Sequence, residues 1–270
     1  MRRSLAWFVL FGIVVAAVAV FVGIVTRQER SDVFVLCGGS FRQPLEEAVE
    51  EYKQISEDTV TATYGGSAVL CAQLENTGRG DILICHDPYM PWAEEKGLIE
   101  RWDAVAYADI VIVVPGDNPH DIRSLQDLTK EGLRIGVGDP KYSTSGVIVE
   151  NLLKNLPYGD EIRENVSKTG HGHQQRCTEV QMGSLDAGIV WNGAAHLFRD
   201  ELTSIPIPGE HIDAVTSATF GKTDLSNIQV TVGLTKVGAG NASAERFYEF
   251  LAEKEQLFVD HGFRPVGEDL

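Results

Sequence analysis

Three turns in this chain combine glycine with hydroxyls in a way suited to holding an anion. Gly38-Gly39-Ser40 follows an apolar run over 33–37, and Gly65-Gly66-Ser67 follows a β-rich run over 59–64. Asp139-Pro140-Lys141-Tyr142-Ser143-Thr144-Ser145-Gly146 follows a third such run over 133–138. Backbone N–H groups at a helix start and serine hydroxyls bind an oxyanion by hydrogen bonds without a full positive charge. A single Gly-Gly-Ser is first a turn and a helix cap. Two of them at equivalent points, with a hydroxyl-rich turn further on, point to a binding site.

A second set of residues suits a soft metal. Cys37, Cys85, His86, His171, His173 and Cys177 carry the thiols and imidazoles that zinc and copper favour. Cys37 and Cys85 end strands expected to be sheet neighbours. The alternative is a Cys37–Cys85 disulfide or buried thiols, with His171 and His173 on an exposed loop. With Cys71 there are four cysteines, which allow three full pairings that spacing cannot separate. Catalysis finds little support. There is no nucleophile elbow, HExxH motif or Walker loop, and Asp81 and Asp186 precede buried strands as caps or turn acceptors.

The elements that must position these turns alternate. Short, continuous apolar runs at 33–37, 81–85, 109–114 and 187–191 suit buried parallel strands. Between them lie helical spacings: 44–52, with Leu45, Ala48, Val49 and Tyr52 on one face; a helix opened by Ser67, with Leu70 and Leu74; and 90–99. A second series follows, with a short helix over 124–128, a strand over 133–138, helices over 145–156 and 174–182, and a weak strand near Val166. Strands at 203–207 and 228–234 and a last helix over 243–261 complete it. Strand–helix alternation means an α/β layer. Its repetition at similar length predicts two lobes with a ligand cleft between them. Lobe one is expected over 31–112 and 218–270, lobe two over 113–217. The hinge is expected in strands 110–114 and 228–234, closing around the ligand.

The first thirty residues stand apart. Residues 5–25 contain no charged side chain, and about 20 apolar residues can cross a bilayer as a helix. Arg2 and Arg3 precede the run, favouring a cytoplasmic N-terminus. The run is longer than a usual signal core and lacks a clear small-x-small cleavage site. An uncleaved anchor is therefore expected ahead of a cleaved signal, with the rest of the chain extracytoplasmic. Of the formal charge of −16, residues 1–30 contribute four arginines and one glutamate, so residues 31–270 carry −19. Such an acidic domain is a poor partner for nucleic acid, whose binding rests on neutralising phosphates.

The chain resembles the periplasmic molybdate/tungstate-binding proteins of ABC importers. The resemblance runs from about Phe34 to Val266. It rests on Gly65-Gly66-Ser67-Ala68-Val69-Leu70-Cys71-Ala72-Gln73-Leu74, Gly80-Asp81-Ile82-Leu83-Ile84, Gly138-Asp139-Pro140 with Ser145-Gly146, Gly183-Ser184-Leu185-Asp186-Ala187-Gly188-Ile189-Val190 and Gly262-Phe263-Arg264-Pro265. It implies a type II periplasmic-binding-protein fold and a monomer that delivers molybdate or tungstate to a membrane permease, without a cofactor. A tethered sensor that has lost transport is the rival within this fold. The ligand positions it implies are Ser40 and Ser67, backbone N–H groups at Ser145 and near His173, and Trp191 where the family has a tyrosine. Lys141, Tyr142, Gln174, Gln175 and Arg176 rank below these. Tryptophan has one N–H and no hydroxyl, so the shell departs from the family's at that point.

Overall fold

The structure, a computed structural model, describes residues 32–170, 172–208, 215–217, 221–223 and 227–267. β1 (Asp32–Gly38) leads through a 3-10 turn (Gly39–Phe41) into α1 (Arg42–Tyr52). β2 (Thr59–Gly65) leads into α2 (Ser67–Thr77), and β3 (Ile82–His86) into α3 (Tyr89–Glu95). β4 (Ile99–Ala108) ends the first series. β5 (Ile110–Pro115) opens the second, followed by β6 (Ile135–Gly138), α4 (Thr144–Asn155), α5 (Gly159–Glu164) and β7 (Val166–Gly170). Then come α6 (His173–Gln181), β8 (Ala187–Trp191), α7 (Asn192–His196) and β9 (Leu202–Pro206). The short antiparallel pair β10 (Val215–Ser217) and β11 (Gly221–Thr223) precedes β12 (Ile228–Thr235), α8 (Ala242–Ala252) and α9 (Glu255–Asp260).

Two five-stranded sheets result, ordered β2-β1-β3-β12-β4 and β7-β6-β8-β5-β9. The strands of each βα series run parallel, as expected: β1 with β2 and β3, and β6 with β7 and β8. The layers are nevertheless mixed. β12 is antiparallel to β3 and β4, and β5 to β8 and β9. Each antiparallel strand arrives just after the chain has passed over from the other lobe, so it meets its new sheet from the opposite end. β5 pairs entirely in the second sheet, between β8 and β9.

β3 and β8 are buried along their whole length, which is why both read as unbroken apolar runs. Three expectations need correcting. The helix expected over 90–99 stops at Glu95, because Gly97 takes φ +69° in a left-handed cap. β4 was not expected, because Glu100, Arg101 and Asp103 interrupt its apolar residues on an exposed edge. The helix expected over 243–261 divides at Lys254, whose carbonyl accepts from Leu257 and Phe258 N–H and starts α9, burying both side chains.

Asp109 marks the passage between lobes. Its carboxylate accepts from Arg264 Nε and Nη2, both at 3.0 Å. Arg264 also exchanges backbone hydrogen bonds with Tyr107 and stacks over its ring. The Gly-Phe-Arg-Pro segment thus ties the end of the chain to the point where it leaves lobe one. Gly262 sits at φ +85°, and a Cβ there would lie 2.5 Å from that of His196.

Among the described residues no helix is long and apolar enough to cross a membrane. The run at 5–25 and His171 lie outside the described residues.

Candidate functional site

A cleft of about 620 Å³ opens between the sheets, within the usual size of a small-molecule site. Lobe one supplies Gly38-Gly39-Ser40 and Phe41 after β1, Gly65-Gly66-Ser67 after β2, and His86 and Tyr89 after β3; lobe two supplies Lys141 to Thr144, His173, Gln174 and Trp191. The strand-end turns come together because parallel strands place their carboxyl ends along one edge. Among the described residues no carboxylate lines this cleft, and Lys141 is the one cationic side chain that does, in a chain of net charge −16.

Four of the five expected ligand positions, Ser40, Ser67, His173 and Trp191, line the cleft. No described protein group engages the hydroxyl of Ser40 or Ser67. Ser67 opens α2, where the N–H groups of Ser67 and Ala68 precede the first hydrogen bonds of the helix, which Val69 and Leu70 donate to the Gly66 carbonyl. Ser145, expected to contribute its backbone N–H, turns its side chain elsewhere. It is 1% exposed, its hydroxyl bonds that of Ser143 at 2.8 Å, and it lies 3.5 Å from His173 Nε2. Its neighbours Ser143 and Thr144 face the cleft instead. Thr144 Oγ1 donates to the Tyr89 hydroxyl at 3.3 Å, a hydrogen bond between the lobes.

Behind His173 lies Arg176, buried at 3% exposure. Its guanidinium donates to the carbonyls of Ile189, Val137 and Gly170, and Nη2 donates to His173 Nδ1 at 3.1 Å. Burial pulls Arg176 down to about 10, so it stays charged at neutral pH and adds positive potential at this end of the cleft. Burial first, then Arg176, then His86 lower the His173 pKa well below its usual value. His86 is pulled down to about 4 by burial. Both imidazoles are neutral at pH 7.

The thiols do not assemble with the histidines. Cys37 is in register with Ile84, so Cys85, one residue on, faces the opposite side of the sheet. Cys37 packs in the core beneath α1, whereas Cys85 packs with Cys71 and Leu74 from α2. Cys177 lies in a third cluster with Val113 and Val180. All four cysteines are free and buried, which corrects the Cys37–Cys85 disulfide. Among the described residues no group of three or more metal-binding side chains forms. Tyr89 was missed as a cleft residue, and His86 was singled out only as a soft-metal ligand. Their signal was position, since they follow β3 as the Gly-Gly-Ser turns follow β1 and β2.

The sequence pattern of the family described as bacterial extracellular solute-binding protein matches residues 33–264. The molybdate-binding protein ModA of Escherichia coli is 20% identical over 245 residues, 87% of this chain and 90% of its own. The periplasmic molybdate-binding protein of Azotobacter vinelandii superposes with a TM-score of 0.67 at 17% identity, covering 86% of this chain and 98% of its own. The sulfate-binding protein SubI of Mycobacterium tuberculosis gives 0.66 at 19% identity, covering 87% of each chain. The two structural likenesses show a shared fold.

Proposed function

We propose that this chain, which belongs to the bacterial extracellular solute-binding protein family, captures a small oxyanion between its lobes and delivers it to the permease of an ABC importer. Family and fold are those of solute-binding proteins rather than enzymes. The observation that carries the oxyanion is the cleft's lining, which among the described residues has hydroxyls at Ser40 and Ser67, one lysine and no carboxylate in a strongly acidic protein. A cation would find no counter-charge there. An anion meets hydroxyls, the first-turn N–H groups of α2, α4 and α6, and the potential of Arg176.

In this reading Ser40 and Ser67 hold the anion from lobe one. His173, the start of α4 at Ser145 and the Trp191 indole complete the shell as the lobes close about Asp109. The run at 5–25 keeps the protein at the membrane beside its permease. Molybdate and tungstate are the reference ligands by resemblance, and a solved relative binds sulfate. The test is thermal unfolding of the full chain in detergent with molybdate, tungstate, sulfate or phosphate. A ligand at 100 times its Kd adds about 2.7 kcal/mol, or roughly 5–10 °C in Tm for a protein of this size. Ser67→Ala is expected to reduce the shift. No shift with any of the four would sink the proposal.

A further inference from the structure

The two cleft histidines carry opposite hydrogen-bond polarity, and their partners fix it. His86 Nδ1 lies 2.6 Å from the carbonyl oxygen of Asp87. A carbonyl only accepts, so Nδ1 carries the proton and Nε2 keeps a lone pair. Asp87 is itself held by β12: its N–H donates to the Gln229 carbonyl and its carboxylate accepts from the Gln229 N–H. His173 is the reverse. Its Nδ1 accepts from the Arg176 guanidinium and, at 3.3 Å, from the Trp191 backbone N–H. A guanidinium only donates, so the proton of His173 sits on Nε2.

His86 is 9% exposed and lines the cleft. Its ring is enclosed by Phe41, Tyr89 and Trp191, with centroids 6.3, 5.3 and 5.4 Å away. No described protein group bonds its Nε2. The indole of Trp191 also lies 5.8 Å from the ring of His173, so the two imidazoles flank it. The cleft therefore offers hydroxyls at Ser40 and Ser67 that can donate or accept, a donor at His173 Nε2 that also reaches Ser145 Oγ at 3.5 Å, and at His86 Nε2 a ring nitrogen that can only accept. A bare oxyanion satisfies the donors and sets an oxygen lone pair against that of Nε2.

We propose that the cleft selects an oxyanion bearing its own O–H, of the hydrogen phosphate or hydrogen arsenate type, and that His86 Nε2 accepts that hydrogen. This narrows the oxyanion reading and rests on it. Sulfate, selenate and molybdate carry no proton at neutral pH. To bind them without conflict His86 must take up a proton, which its burial opposes.

The experiment uses pairs matched in shape and differing in the O–H: phosphate against sulfate, and arsenate against selenate. Affinities of the full chain in detergent are measured by calorimetry at pH 7. Phosphate and arsenate are expected to bind roughly 10- to 150-fold more tightly than their partners. His86→Phe, checked for an unchanged circular dichroism spectrum, is expected to shrink that ratio to about 3-fold or less. Equal affinities within each pair, or tighter binding of sulfate and selenate, would overturn the role of His86 while leaving the oxyanion reading standing. Binding of none of these, nor of molybdate, would overturn both. A ratio unchanged in a folded His86→Phe protein would also overturn the assignment.

Discussion

Replacing Arg264 by methionine tests whether the end of the chain holds the passage between the lobes. Arg264 and Asp109 form a two-pronged ion pair with both N–O distances at 3.0 Å and both side chains 11% exposed. Arg264→Met keeps most of the aliphatic stem but leaves the Asp109 carboxylate without its main partner. Breaking one side of a buried pair costs about 3–5 kcal/mol. Partial exposure here sets the expectation near the lower end, about 3 kcal/mol. That corresponds to a fall in Tm of roughly 6–12 °C for a protein of this size. Asp109→Asn is expected to cost a similar amount. The two changes act on one interaction, so the double variant should lose less than the sum by about 2 kcal/mol. Calorimetric unfolding of the four proteins reads both quantities. A single-variant Tm within about 2 °C of the parent, or single effects that simply add, would refute the role given to this pair.

Two further outcomes follow from the packing. Burial pushes Asp58 up, but hydrogen bonds from Ser243, Arg246, Ser56 and Tyr52 outweigh it and bring its pKa from 3.8 to about 2. The folded value is depressed, so this stability is present above the unfolded pKa and is lost as pH falls towards 2. Urea unfolding is expected to show the parent losing about 2 kcal/mol more than Asp58→Asn between pH 5 and pH 2, and equal losses would refute this. Gly262→Ala puts a Cβ 2.5 Å from that of His196 at φ +85°. It should cost at least about 2 kcal/mol in the same assay, and a cost near zero would show that the segment can shift.

The element order was legible because it is local. The buried runs of β3 and β8, the helix face of Leu45, Ala48 and Tyr52, and serine at the start of α2 each follow from residues a few positions apart. The Gly-Gly-Ser turns were legible as cleft residues for a related reason, since the ends of parallel strands in one sheet must share an edge. Glu100, Arg101 and Asp103 hid β4, because an edge strand tolerates polar residues that read as loop or helix.

Register and packing decided the rest. The parity of β1 against β3 puts Cys37 and Cys85 on opposite faces, and no count of intervening residues reveals it. Ser145 turns into the protein and leaves Ser143 and Thr144 at the cleft. Arg176 becomes buried support for His173 because three backbone carbonyls from separate segments meet around it. The proton of His86 is set by the Asp87 carbonyl, held in place by a strand 142 residues further on. By itself the sequence determined two α/β lobes with hydroxyl-bearing turns at their strand ends, because periodicity and turn chemistry act over a few residues. Only the tertiary structure decided which groups face the cleft and which of them donate or accept, because those depend on contacts between segments far apart in the chain.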